Sequence, residues 1–171
     1  MPLRTLAWRH LQRCMAIAVT LFLIAACAAN PWANKVKDAQ NPSFTGRMSL
    51  LVDSEPVQSF AGGFELQGSA EMGELSLYTP LGSTVAVLRW APGQAVLETG
   101  GTTQAYPSVQ AMMERTTGAA VPVPALFAWL RGEAVDVPGW VADVSRQAQG
   151  RINAQRSSPL PTAQLRIVLE P

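Results

Sequence analysis

Glu65, Glu71 and Glu74 lie close together in the chain, and acids so grouped raise the question of glycosidase chemistry. One flanks an apolar run and the other two flank a Gly-containing bend, so all three read as a solvated rim. Lys35 and Lys37 sit in a polar stretch and make poor partners for a Ser-Lys dyad. His10 is the sole histidine, and Cys14 and Cys27 are the two cysteines. Arg4, Arg9, His10 and Arg13 form a positive leader ahead of the apolar run 15–26, which ends in small residues as a secretory signal does. Removal of residues 1–26 takes away His10 and Cys14. The remaining chain then has no pair for a disulfide, none of the usual zinc or copper ligands, and no imidazole for a Ser or Cys triad. The reading is of a non-enzyme without metal or cofactor.

The reactive residue that remains is Cys27. Ile24, Ala25, Ala26 and Cys27 resemble the bacterial lipobox, which implies cleavage before Cys27 and a covalent S-diacylglycerol and N-acyl lipid upon it. Ala28 stands where an Asp would imply retention in the inner membrane, so the outer membrane is the expected address. A transmembrane helix competes with this reading, since no charge falls between Arg13 and Lys35, but Asn30 and Pro31 interrupt the stretch. The organisation expected is a lipoprotein signal peptide over 1–26, an anchor and tether over 27–45, and a folded body over 46–171.

The elements of that body follow from its periodicity. The chain has 171 residues, 48% apolar and 15% charged, with a formal net charge of +1 that turns slightly acidic once the leader is removed. This fits one domain and leaves no basic footprint for nucleic acid. Short apolar runs at 46–52, 58–66, 73–79, 84–90 and 95–99, separated by Gly and Pro, read as strands. Met48, Leu50 and Val52, then Phe60, Gly62, Phe64 and Leu66, then Leu75 and Leu77, then Val85 and Val87 are spaced to share one face. Connections this short exclude parallel crossovers and point to an antiparallel meander. Ser108 is an N-cap for a helix that stops at Gly118, and Pro124 opens a second helix that ends at Gly132. Strand-like pieces return at 140–145, 150–155 and 164–170. The fold class expected is mainly β with α: a curved antiparallel sheet covered by short helices.

Phe64 before a Gly-rich bend, the run Gly73-Glu74-Leu75-Ser76-Leu77-Tyr78-Thr79-Pro80-Leu81-Gly82-Ser83-Thr84, and the segment 126–132 (LFAWLRG) together resemble the LolB family of outer-membrane lipoproteins. The resemblance spans most of 46–150. It implies an incomplete, unclosed β-barrel with a helical lid over a hydrophobic cavity. It also implies a receptor that takes acylated lipoproteins from the periplasmic carrier LolA and inserts them into the inner leaflet of the outer membrane. The partners expected are that carrier, the acylated cargo and outer-membrane lipid, met by a monomer that faces the periplasm.

Two candidate sites follow. Pro80, Leu81 and Gly82 read as a tight connection that puts a large apolar side chain at a tip. An exposed leucine is unexceptional by itself; the resemblance makes this loop the one that moves lipid into the membrane. Phe64, Leu75, Leu77, Trp90, Met112, Met113, Phe127, Trp129 and Trp140 are candidates to line the cavity. Ordinary core accounts for most of them, although flexible Met side chains also suit an adaptable acyl-chain surface. A second reading is a structural or envelope-assembly lipoprotein whose β module binds protein or glycan and carries no lipid cargo.

Overall fold

The computed structural model describes residues 42–170. Cys27, the leader and the tether lie outside the described residues. Nine strands form one sheet: β1 (Ser43–Val52), β2 (Gln58–Gly68), β3 (Gly73–Tyr78), β4 (Thr84–Ala91), β5 (Gln94–Thr99), β6 (Thr102–Tyr106), β7 (Trp140–Asp143), β8 (Arg151–Arg156) and β9 (Ala163–Leu169). Between β6 and β7 come α1 (Val109–Thr117) and α2 (Val123–Leu130). The spatial order is β6-β5-β4-β3-β2-β1-β9-β8-β7, and every pairing is antiparallel. β6 and β7 are the two edges and do not pair with each other, so the sheet is an unclosed barrel. The chain must travel from one edge to the other between them, and both helices lie on that connection.

Alternation explains which face the helices cover. On β9, Ala163, Leu165 and Ile167 are buried while Gln164, Arg166 and Val168 are exposed; on β8, Ile152 and Ala154 are buried while Arg151, Asn153 and Gln155 are exposed. The Ser108 hydroxyl caps α1 by accepting from the Ala111 N–H at 3.1 Å, and Gly118 ends it in the left-handed region at φ 68°. α2 is apolar almost all round and is buried from Ala125 to Leu130, as expected of a helix enclosed by the core. Phe127 of α2 meets Phe44 of β1 at a ring separation of 6.3 Å and Trp90 of β4 at 6.5 Å, both edge-on. Trp129 meets Trp140 of β7 at 5.9 Å. The core uses side chains from β1 to β9 and both helices, all between residues 44 and 169. The body packs as one compact unit around this core.

Two expectations need correction. Five strands were expected before the helices and there are six: β6 pairs with β5 through a Gly100-Gly101 turn, with φ 56° and 76°, that joins Thr99 to Thr102. Its residues 102–105 are all exposed and mostly polar, so no apolar run marks it. Val85 and Val87 do not face the core. Leu77 pairs with Ala86 and Leu75 with Leu88, and paired residues share a face, so Ala86, Leu88 and Trp90 point inward. A register shift between Leu77 and Tyr78 leaves Val85 as the extra residue of a bulge.

Candidate functional site

The hairpin between β3 and β4 is closed by three residues. The Thr79 N–H donates to the Ser83 carbonyl at 2.8 Å, the Gly82 N–H donates to the Thr79 carbonyl at 2.9 Å, and the Ser83 N–H donates to the Thr79 hydroxyl at 3.1 Å. Gly82 takes φ 86°, which a side chain would strain, and Pro80 supplies a fixed φ on the other side of Leu81. This polar scaffold leaves Leu81 with no inward path. It is 95% exposed, more than any other large apolar residue of the body.

Directly inward of that hairpin is an apolar cavity of about 440 Å³. Leu75, Leu77, Ala86, Leu88 and Leu97 contribute from β3, β4 and β5, Met48 and Leu50 from β1, and Met113 and Leu126 from the helices. Its rim is polar: Gln104, Arg115, Thr116 and Thr117 border it, and Gln104 and Arg115 are exposed. The volume lies within the ~300–1,000 Å³ range of small-molecule and cofactor pockets. Leu77 and Ala86, the paired residues nearest the Leu81 turn on the inner face, are both lining residues, so cavity and tip belong to one hairpin.

Three of the nine residues singled out for the cavity, Leu75, Leu77 and Met113, line this space. Phe64, Trp90 and Phe127 are buried in the core, the latter two in contact with each other. Met112 is fully buried on α1, and Trp129 packs on Trp140. The lining residues that the sequence did not single out include Leu88, Leu97 and Leu126, ordinary aliphatics on inward positions. Cross-strand register is the signal that finds the two strand residues, since Leu88 is opposite Leu75 and Leu97 opposite Leu88, whereas Leu126 comes from α2 and has no strand partner.

The three grouped acids are held apart by separate partners. Glu74 pairs with Arg89 at 2.6 Å, and Arg89 reaches Glu98 at 2.6 Å on its other side. Glu65 accepts from Gln67 and from the Tyr78 hydroxyl. The Ser69 hydroxyl, donating at 2.8 Å, holds the Glu71 carboxyl below its ordinary range. They sit on the outer face or at its turn and do not converge on a substrate.

A sequence profile described as outer membrane lipoprotein LolB matches residues 41–166. The chain belongs to the LolB family. The protein is 34% identical to the outer-membrane lipoprotein LolB of Bordetella pertussis over 98% of this chain and 96% of that one. It is 32% identical to the Bordetella petrii protein of the same name over 90% and 88%, and 30% identical to that of Cupriavidus metallidurans over 84% and 72%. LolB membership makes this an outer-membrane lipoprotein of the lipoprotein-localisation route, a transport receptor and not an enzyme. Among the described residues no helix is long and apolar enough to cross a membrane.

Proposed function

We propose that the protein receives the acyl chains of lipoproteins in the 440 Å³ cavity from a soluble LolA-like periplasmic carrier, and releases them into the inner leaflet of the outer membrane beside Leu81. The observation that carries this reading is that one hairpin presents an exposed leucine at its tip and apolar cavity wall on its inner side. Leaving a long acyl chain in water costs on the order of 10 kcal/mol at ~0.8 kcal/mol per CH₂, so a carried chain needs an apolar enclosure at every step. Leu75, Leu77 and Met113 hold the chain, with Leu88, Leu97 and Leu126 completing the wall. Transfer runs down a gradient of apolar burial and uses no nucleotide. Cys27 carries the N-acyl and S-diacylglycerol anchor, and residues 28–41 tether a monomeric body to the membrane.

The test uses residues 28–171, purified without the anchor and mixed with carrier loaded with a triacylated lipoprotein. Native mass spectrometry then reports whether cargo changes hands. Cargo on this protein is the expected result. Cargo that stays on a demonstrably competent carrier, beside a folded acceptor, overturns the reading in favour of a lipoprotein with no lipid cargo.

A further inference from the structure

The outer face of the sheet, turned away from the helices, carries a row of side chains set by strand register. Tyr78 of β3 pairs with Gly63 of β2, Gly63 with Arg47 of β1, Arg47 with Val168 of β9, and Val168 with Arg151 of β8. Directly paired residues point to the same side, so Tyr78, Arg47, Val168 and Arg151 stand in line across the sheet. Arg166, two residues before Val168 on β9, shares that side. Arg47, Arg151, Arg166 and Val168 are all exposed. The ion pairs of the described residues are Arg89 with Glu74, Arg89 with Glu98 and Arg131 with Glu133, and none engages Arg47, Arg151 or Arg166.

Ala61 and Gly63 floor a groove of about 730 Å³ on this face, bordered by Arg47 and Arg166 and by Tyr78, Pro80 and Gly82. Pro80 and Gly82 are the immediate neighbours of Leu81. Two carboxylates also border the groove. Glu65 is engaged by Tyr78 and Gln67, and Glu170 is exposed at the end of β9.

We propose that this outer face docks on anionic phospholipid, with headgroup phosphates lying in the groove against Arg47 and Arg166 and Arg151 extending the contact. Three guanidiniums without acidic partners, converging on one face of a chain whose acids outnumber its bases after the leader, are complementary to a phosphate surface. An acidic protein would match the arginines as well. The membrane is favoured because the most exposed apolar side chain of the body adjoins the same groove, and a lone leucine binds a bilayer too weakly to hold the body in one orientation. The inference rests on the reading that the body works at a membrane surface.

The anchor-free protein, residues 28–171, is floated with vesicles of phosphatidylcholine and with vesicles of equal parts phosphatidylcholine and phosphatidylglycerol. Binding to the anionic vesicles should be at least about tenfold tighter and should lose that advantage at high salt, given about fivefold per guanidinium at an anionic surface. The Arg47→Gln, Arg151→Gln, Arg166→Gln triple variant should lose the preference, whereas Arg131→Gln should keep it. Val168→Glu retains all three arginines, places a carboxylate among them and should also weaken the preference; near-UV circular dichroism checks that each variant is folded. Wild-type protein with no anionic preference, or either outer-face variant with an undiminished one, overturns the proposal. Delivery of cargo by Leu81→Glu is scored separately, so the loop reading and the arginine reading fail independently.

Discussion

Replacing Leu81 should separate folding from the proposed delivery step. The side chain is 95% exposed, so its removal takes no contact from the core, and stability should change by less than about 0.5 kcal/mol. What it loses is burial in a second medium. Inserting one leucine is worth about 1.5–3 kcal/mol, or roughly a 10- to 150-fold change in the equilibrium for bilayer contact. Leu81→Ala should therefore slow delivery of a bound lipoprotein to vesicles by about tenfold, and Leu81→Glu by more, because the carboxylate must also be desolvated. Leu81→Phe should restore delivery. The assay loads each variant with labelled cargo, confirms loading by native mass spectrometry, and follows appearance of the label in floated vesicles. Delivery by Leu81→Glu at the wild-type rate refutes the reasoning, as does a parallel loss of loading, which would place Leu81 in acceptance.

Ala86→Phe directs a ring into the cavity beside Leu77 and should cut cargo acceptance severalfold while costing no more than the ~1–3 kcal/mol of ordinary overpacking; native mass spectrometry and urea denaturation report the two. Trp129, fully buried against Trp140 and outside the cavity lining, should behave in the opposite way: Trp129→Ala should lose about 3–5 kcal/mol of stability by denaturation without a specific loss of loading in the folded fraction. Trp129→Phe should cost less, since it also removes a buried indole N–H that meets no acceptor among the described residues. Hydrogen bonding from Arg131 holds the Glu133 carboxyl below its ordinary value, and from Ser145 that of Asp143. A depressed folded-state value stabilises the fold above the unfolded-state value and loses that contribution as pH falls through the depressed one. Thermal unfolding should thus show stability declining as pH drops below the usual carboxylate range, with a shallower decline in Glu133→Gln.

Local signals with a single mechanism were readable from the chain. Ser108 and Gly118 bound α1 because a hydroxyl acceptor and a left-handed residue are what helix ends require. Pro80 and Gly82 expose Leu81 for a comparable reason: their backbone demands fix the turn whatever surrounds it. β6 is not legible in the sequence because an exposed edge strand of Thr, Gln and Ala has nothing apolar to alternate, and its one signal is the Gly100-Gly101 turn. The inward face of β4 cannot be read from alternation because both alternating sets contain apolar residues, and cross-strand register chooses between them. Aromatic bulk was also a weak guide to the cavity. Trp90 packs on Phe127 and Trp129 on Trp140 as solid core, while the open volume is walled mainly by aliphatic side chains, with Phe60 and Tyr106 as the aromatic members of its lining.

The unpaired edges β6 and β7 bear on what such a receptor can hold. In a closed barrel, strand number and shear together determine the circumference, and widening the interior means breaking a ladder. Here no hydrogen bond ties one edge to the other, so the radius of curvature can relax without the loss of any strand pairing. Resistance to widening then falls on the helical connection that spans the two edges, through contacts such as Phe127 on Trp90 and Trp129 on Trp140. On the proposed reading, in which the cavity takes acyl chains, its capacity would be set by side-chain packing and not by a fixed hoop of backbone bonds, an arrangement suited to chains of different length.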